Sequence, residues 1–204
     1  MGIPSDISTR RLRLYAPSHA EVEALRLGSQ EARDDLGGRL QADVSEAWWL
    51  GPSLLRLLPD LSAVMRREPE DARWFWMVIN PATACVIGDI GFHAPIHASS
   101  TIETEIGWSV IPAARGKGYI PEAVAALFAA TFAQTRVQRI IAQIEPTNTA
   151  SLRVAAKLGM QALPPRGANY LCFGVARPDY ACDCDHILPT PPTPPTPATP
   201  PTPA

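Results

Sequence analysis

IGWSVIPAARGKGYIPE, residues 106–122, decides the fold because two structural periods meet within it. Its first five residues alternate Ile, Trp and Val with Gly and Ser, which is the period of a β-strand. From Tyr119 to Gln134 the apolar residues instead recur with the period of an α-helix. Arg115–Gly118, which reads RGKG, lies between the two, so a glycine-rich turn leads into the start of a helix. Amides at a helix start have no partner within the helix and attract anions, so the segment predicts a phosphate-binding turn.

Length and composition predict one ordinary globular domain. The chain has 204 residues, of which 46% are hydrophobic and 19% are charged, enough for one substantial core. A formal net charge of −2 gives no reason to expect nucleic acid as a direct partner. No apolar run is long enough for a membrane helix, and the first residues lack the layout of a signal peptide. We therefore expect a cytoplasmic protein without a membrane partner, and the composition leaves a homodimer open.

The apolar periods and turn signals divide the chain into three parts. We expect an N-terminal extension at 1–8, a folded domain at 9–180, and a disordered tail at 181–204, where the chain becomes rich in Pro and Thr and cannot bury a core. The predicted strands are Thr9–Tyr15, Trp74–Ile79, Ala84–Phe92, Thr101–Ile111, Arg139–Glu145 and Tyr170–Val175. The predicted helices are Ala20–Ser29, Val44–Leu58, Tyr119–Gln134 and Asn148–Leu158, with a loop at 31–42. This order predicts a mixed α/β domain.

Cysteine and histidine do not form a metal-binding pattern. Cys182 and Cys184 precede His186, but this C-x-C spacing has no second half and adjoins the tail. His93 and His97 flank a proline in a loop, where we expect surface or structural roles. We therefore predict no metal site and free thiols throughout.

Three motifs resemble those of the GCN-five-related N-acetyltransferase (GNAT) superfamily, whose members transfer acetyl from acetyl-coenzyme A to amines. Arg115–Ile120 is similar to its Q/R-x-x-G-x-G/A turn, and Thr104–Trp108, TEIGW, leads into that turn. Asn148–Ser151 and Lys157–Met160 resemble the N-x-x-S…K-x-G-F segment of the branch containing ribosomal-protein N-terminal acetyltransferases. The resemblance covers about Thr9–Val175. It implies a single domain with a mixed, mostly antiparallel central sheet flanked by helices.

The resemblance also implies acetyl-CoA as the acyl donor and an amine as the acceptor, either a protein N-terminus or a small molecule. The implied cofactor-binding residues are Trp108, Val110, Arg115, Gly116, Lys117, Gly118, Tyr119, Ile120, Asn148 and Ser151. Ile120 departs from the usual Gly or Ala, so its side chain has to point away from the pyrophosphate. Met160 replaces the usual aromatic residue, which a buried position tolerates.

The attacking amine must be neutral, so the site needs a group that removes its proton. A carboxylate can do this, directly or through one water, if burial raises its pKa. Glu103, Glu105 and Ser109 share one face of the predicted strand, and Glu105 lies two residues before Gly107, where the strand can open. The resemblance implies that Glu105 is the general base, with Glu103 a poorer candidate. The alternative is a Glu105 that is solvated or only structurally hydrogen-bonded.

The remaining catalytic expectations also come from the resemblance. It places the acetyl carbonyl near the backbone amide of Val110, which would stabilise the oxyanion. Ser151 is the candidate donor to the leaving thiolate, although its hydroxyl could instead bond its own helical turn. Asn148 is the natural N-cap of that helix. A non-catalytic acyl-CoA-binding module remains the alternative to an enzyme, whereas the turn lacks the G-x-x-x-x-G-K-[ST] spacing of P-loop proteins.

Overall fold

A computed structural model describes residues 2–27, 30–44, 58–59, 62–63, 65–66, 75–94, 96 and 100–177 of the chain. The strands are β1 (Asp6–Ser8), β2 (Arg13–Tyr15), β3 (Phe75–Asn80), β4 (Cys85–Phe92), β5 (Glu103–Val110), β6 (Arg139–Ile144), β7 (Gln161–Leu163) and β8 (Leu171–Ala176). The helices are α1 (His19–Leu27), α2 (Gln30–Leu40), α3 (Tyr119–Gln134) and α4 (Thr149–Lys157). Most of the predicted helix Val44–Leu58 and the whole predicted tail lie outside the described residues.

The eight strands form one sheet in the order β1-β2-β3-β4-β5-β6-β8-β7. Every neighbouring pair is antiparallel except β5 and β6, which are parallel. One face packs against α3 and α4, and the opposite face packs against α1 and α2. Leu127 and Phe128 of α3 are fully buried, and each such side chain contributes roughly 1.5–3 kcal/mol by leaving water. The predicted single-domain α/β fold with a mostly antiparallel sheet is confirmed.

Four short or polar elements differ from the sequence prediction. The first predicted strand, Thr9–Tyr15, is strand only at Arg13–Tyr15, because its beginning forms a turn in which the Thr9 amide donates to the Leu12 carbonyl at 2.8 Å. Asp6–Ser8, predicted to lie in the N-terminal extension, forms the edge strand β1. Residues 31–42, predicted as a loop, contain most of α2. The edge strand β7 was not predicted.

Tertiary contacts explain why α2 forms despite its polar sequence. Its buried side chains, Leu36 and Leu40, join the core cluster that contains α1. Arg39 of α2 also pairs with the buried carboxylate of Glu21 in α1, at 2.9 Å. Packing against another element therefore supplies the stability that the local sequence does not.

The last described residue holds the far end of α3. Arg177, which follows β8, donates through Nη2 to the carbonyls of Thr135 and Val137, each at 2.6 Å. A second guanidinium nitrogen donates to the carbonyl of Phe132, whose ring also lies against the guanidinium. A helix leaves its last carbonyls without partners, so this arginine satisfies them.

The sheet opens between β5 and β6. β5 pairs with β4 over Ile106–Val110, but it pairs with β6 only over Glu103–Glu105. The two parallel strands therefore separate beyond Glu105. Helices α3 and α4 begin after the carboxyl ends of these two strands, so both helix N-termini lie at the edge of the sheet where the gap opens. Ligands of open α/β sheets bind at such an edge.

Candidate active site

The gap exposes backbone groups of β5. Peptide groups of successive residues in a strand point to opposite sides, toward one neighbouring strand and then the other. The Glu105 carbonyl accepts from the His93 amide at 2.9 Å, and farther along the Ile111 amide donates to the Ile87 carbonyl at 2.9 Å, so both residues direct these groups toward β4. The alternation therefore directs the peptide groups of Trp108 and Val110 to the other side, where β6 has separated. Trp108 and Val110 are the two β5 residues for which the resemblance implies cofactor binding.

The glycine-rich turn between β5 and α3 has the backbone shape of an anion site. A 3-10 turn at Pro112–Ala114 leads into it, and Gly116 and Gly118 each adopt a φ of 75°, which favours glycine. Gly118 is the N-cap of α3 and makes no side-chain cap bond. The amide of Arg115 already donates to the Pro112 carbonyl at 3.2 Å. The Arg115 amide is therefore already used, and only its exposed side chain can contact a ligand. The first amide of the turn that can face a ligand is that of Gly116.

Ile120 does not crowd this turn. Its side chain is 4% exposed and belongs to the core cluster around α3. The side chain therefore lies in the core, while the amide of Ile120 remains in the first turn of the helix. Met160 is likewise buried, which explains why an aromatic residue is dispensable there.

Thr9 and Arg11, which precede β2, hold the turn through hydrogen bonds and an ion pair, and we call these contacts the clamp. The sequence did not reveal them. Arg11 donates through Nη1 to the Lys117 carbonyl at 3.1 Å, and its guanidinium lies 4.7 Å from the centre of the Tyr119 ring. Its Nε pairs with Glu122 in the first turn of α3 at 2.7 Å. The hydroxyl of Tyr119 accepts from the Asn80 amide at 3.3 Å. The turn is therefore held from two sides before any ligand arrives.

The carboxylate of Glu122 binds both residues of the clamp, Thr9 and Arg11. Burial raises the pKa of the Glu122 carboxyl, but hydrogen bonds from Thr9 and from the Arg11 side chain and amide outweigh burial, so the pKa is lowered. Thr9 donates to it at 2.6 Å and the Arg11 amide at 2.9 Å. The pairing was not evident from the sequence because 111 residues separate Arg11 from Glu122.

The second helix at the gap begins as predicted. Asn148 is the N-cap of α4, and its side-chain oxygen accepts from the Ser151 amide at 3.1 Å. Helix α4 packs against both α3 and β6, so its first turn flanks the gap. Asn148 is exposed and Ser151 is half-buried. The cap uses the backbone of Ser151, which leaves its hydroxyl outside this bond.

Glu105 lies on the other face of the sheet, bound on both carboxylate oxygens. Oε1 lies 3.1 Å from Nδ1 of His93, and Oε2 accepts from the Gln143 amide at 2.8 Å. The hydrogen bond from His93 lowers the pKa of Glu105; burial opposes this, and the Gln143 bond adds to it. The sequence predicts only a surface or structural role for His93. The register of the strands brings the two residues together, since Phe92 pairs with Ile106 and the next residue therefore faces Glu105.

Glu103 and Ser109, two further polar residues of β5 on this face, are also hydrogen-bonded. Glu103 binds Arg139 at 3.2 Å and also Arg166, and the hydrogen bond from Arg166 is the main cause of its lowered pKa. The two guanidiniums favour the ionised form of Glu103 and so make it a weaker base. Ser109 donates to Asp89 on the neighbouring strand at 2.5 Å. The face thus presents carboxylates near the gap, a suitable surface for a cationic amine.

Within the part of the chain that the structure describes, no group of three or more His, Cys, Asp and Glu side chains is arranged to hold a metal ion. In the same residues, no helix combines the length and the apolar character needed to cross a membrane.

Comparison with known proteins connects this geometry to a family. Residues 11–161 match the Acetyltransferase (GNAT) domain. YnaD, an uncharacterized N-acetyltransferase of Bacillus subtilis strain 168, is 33% identical over 102 residues, a match that spans 50% of this chain and 58% of that protein. The chain thus matches little more than half the length of that relative.

Two solved structures share the fold. One is a putative ribosomal-protein-serine acetyltransferase from Vibrio cholerae, 19% identical with a TM-score of 0.55, covering 86% of this chain and 99% of that one. The other is Mycobacterium smegmatis RimJ in complex with CoA-disulfide, 17% identical with a TM-score of 0.56, covering 85% and 88%. The resemblance drawn from the three motifs is confirmed, and ribosomal-protein acetyltransferases are among the structural neighbours. The chain belongs to the GNAT acetyltransferase family.

Proposed function

We propose that the protein is an N-acetyltransferase that transfers acetyl from acetyl-CoA to a primary amine by direct attack of the amine on the thioester. The observation that carries the proposal is the separation of β5 from β6 beside a turn in which Gly116 and Gly118 both have a φ of 75°. The turn suits a phosphate group, and the gap beside it suits an extended chain that ends in a thioester. An acyl-CoA needs both, because its pyrophosphate and its thioester lie at a distance from each other.

In this proposal the pyrophosphate lies on the amides from Gly116 to Ile120, at the positive end of α3. The exposed side chains of Arg115 and Lys117 add positive charge at the rim. The pantetheine arm enters the gap, where the peptide groups of Trp108 and Val110 bind it, and Asn148 and Ser151 border it from α4. A structural neighbour, RimJ, was solved with a coenzyme A derivative, which supports this choice of donor.

The chemistry uses groups on both sides of β5. The hydrogen-bonded pair of Glu105 and His93 supplies the base that removes the proton of the incoming ammonium. The Val110 amide donates to the carbonyl oxygen as negative charge develops on it, the kind of interaction worth about 3–4 kcal/mol in other enzymes. Ser151 donates to the sulfur as the carbon–sulfur bond breaks. The carboxylates on the acceptor face, Glu105 and Asp89, favour a positively charged acceptor such as a protein N-terminus or a small-molecule amine.

Two measurements test the proposal. Calorimetry on the whole chain should detect acetyl-CoA binding, and mass spectrometry should detect acetylated product from a panel of ribosomal-protein N-terminal peptides, polyamines, amino acids and aminoglycosides. Binding with turnover of at least one panel member is the expected result. Binding of acetyl-CoA without turnover of any panel member would favour a non-catalytic acyl-CoA-binding module. The absence of acetyl-CoA binding would refute the proposal.

A further inference from the structure

We propose that Nε2 of His93 is the atom that takes the amine proton, and that Glu105 is a positioning residue that orients the imidazole. This inference rests on the proposed function, since it names the base of the same reaction. It changes the expectation from the sequence, in which Glu105 itself accepts the proton. Four observations lead to it.

The first observation is the orientation of the ring. Nδ1 of His93 lies 3.1 Å from Oε1 of Glu105. A carboxylate accepts a hydrogen bond, so this contact places the ring proton on Nδ1 and leaves the lone pair on Nε2. Among the described residues, Nε2 has no hydrogen-bond or ion-pair partner. The ring therefore has one nitrogen anchored and the other ready to accept a proton.

The second observation is where Nε2 lies. A Cβ atom added at Gly107 would lie 2.8 Å from Nε2 and 3.6 Å from Cδ2, so this edge of the ring rests on the β5 backbone at Gly107. Gly107 is two residues beyond the last β5 residue paired with β6, and it directly precedes Trp108, whose peptide group faces the gap. The acceptor atom thus lies over the strand where the thioester would lie. Glycine at this position makes room for the imidazole.

The third observation concerns Glu105 as an alternative base. Its two oxygens are both engaged, one with His93 and one with Gln143. Its side chain is 22% exposed, whereas the side chain of His93 is 49% exposed and within reach of an entering substrate. The bond from His93 also lowers the pKa of Glu105, which makes the carboxylate a weaker base. Imidazole is the commonest general base near neutral pH.

The fourth observation is the charge around the pair. The charged and titratable groups on the strands and loop around the pair include Asp89, Glu103, Arg139, Arg166 and Cys172. Arg139 and Arg166 bind Glu103, and the charge of Arg166 also acts on Glu105, but the hydrogen-bond partners of Glu105 are the imidazole and a neutral amide. The carboxylate of Glu105 therefore stabilises, by direct contact, the imidazolium that forms when His93 takes a proton.

The step balances as follows. Nε2 takes one proton from the ammonium, and the neutral amine attacks the thioester carbon. The carbon–nitrogen bond forms, and the carbon–sulfur bond breaks. The second nitrogen proton goes to the leaving sulfur, which gives the thiol of coenzyme A. The imidazolium then returns its proton to solvent, so the products are the acetylated amine, the free thiol and one proton.

The test compares His93→Gln with Glu105→Gln in the whole chain, measuring kcat/KM against pH with an acceptor from the panel. His93→Gln should lower kcat by about 10²–10⁴-fold and remove the acidic limb of the profile, because glutamine does not titrate. Glu105→Gln keeps an oxygen acceptor for the ring but loses the negative charge. It should therefore lower kcat and move the acidic limb to lower pH without removing it. Acetyl-CoA affinity measured by calorimetry should stay unchanged in both variants, which also verifies folding.

A third variant separates chemistry from structure. His93→Ala should regain activity when free imidazole is added, and the same imidazole should not stimulate the wild-type protein. If His93→Gln keeps its acidic limb and near-normal turnover while Glu105→Gln loses the limb, Glu105 is the base and the inference is overturned. If the wild-type protein acetylates no member of the panel, the proposed function fails, and the inference fails with it.

Discussion

Replacing Gly118 by Asp or by Asn tests the phosphate site with a difference of one charge. Gly118 is the N-cap of α3 with a φ of 75°, and a Cβ there would meet only Arg11, at an ordinary contact distance of 3.6 Å. Asp and Asn both tolerate this left-handed backbone conformation and both are good N-caps. The two variants should therefore fold equally well and place nearly the same atoms over the turn.

The charge alone should separate their affinities for acetyl-CoA. A carboxylate at residue 118 would lie about 5 Å from a phosphate held by the same amides, and two unit charges at that distance repel by roughly 1–3 kcal/mol at effective dielectric constants of about 80 to 20. We therefore expect Gly118→Asp to bind acetyl-CoA about 5- to 150-fold more weakly than Gly118→Asn. Salt screens this repulsion, so the ratio should shrink at about 0.5 M salt.

Calorimetric titration of both variants at low and high salt provides the measurement. Gly159→Asp is a matched control, because Gly159 also has a positive φ, 70°, and open space around it, but it lies at the far end of α4. It should bind acetyl-CoA like the wild-type protein. Equal affinities for Gly118→Asp and Gly118→Asn, at both salt concentrations, would show that the phosphates do not bind at this turn.

Three further predictions concern the clamp, the far end of α3 and pH. Arg11→Met should weaken acetyl-CoA binding about tenfold by calorimetry, because the turn loses its pre-ordering. Arg13→Met removes the pair with Asp6 and the contact with the Tyr15 ring, both away from the turn, so it should leave the affinity unchanged. Equal losses in the two variants would contradict the clamp. Arg177→Met should lower the free energy of unfolding, measured by urea titration, by about 1.5–3 kcal/mol. Its affinity for acetyl-CoA should stay unchanged. An unchanged urea midpoint of unfolding would refute the capping role. Glu122 has a lowered pKa, so its stabilisation is present above the ordinary value of 4.5 and is lost as pH falls through the folded pKa. Between pH 7 and about pH 3 the melting temperature of Glu122→Gln should therefore fall less than that of the wild-type protein, and parallel curves would contradict this.

The sequence predicted those elements whose own pattern determines them. α3 buries an apolar face, and β5 alternates Ile, Trp and Val with Gly and Ser, so their periods were visible in the sequence and their bounds agree with the structure to within two residues. α2 was missed because only Leu36 and Leu40 are buried in it, and its ion pair with Glu21 is a tertiary contact. β1 and β7 each have three residues, which is too short for an alternation to be recognised.

The site was predictable to the extent that it is local. The glycine turn and the Asn148 cap each depend on consecutive residues, and both appear as expected. The bond between His93 and Glu105 depends on the register of β4 against β5, which the sequence did not specify. The contact of Arg11 with Glu122 joins residues 111 positions apart in the sequence. Such contacts are known only once the strands are paired.

A crystal structure of the chain with acetyl-CoA is the most direct test of the central claim. We predict pyrophosphate oxygens within hydrogen-bond distance of the amides from Gly116 to Ile120, and the thioester in the gap between β5 and β6. In that position the acetyl carbonyl should point at the Val110 amide, and Nε2 of His93 should face the open side of the thioester carbon. Acetyl-CoA bound elsewhere on the domain, or a gap closed by direct pairing of β5 with β6, would contradict the claim.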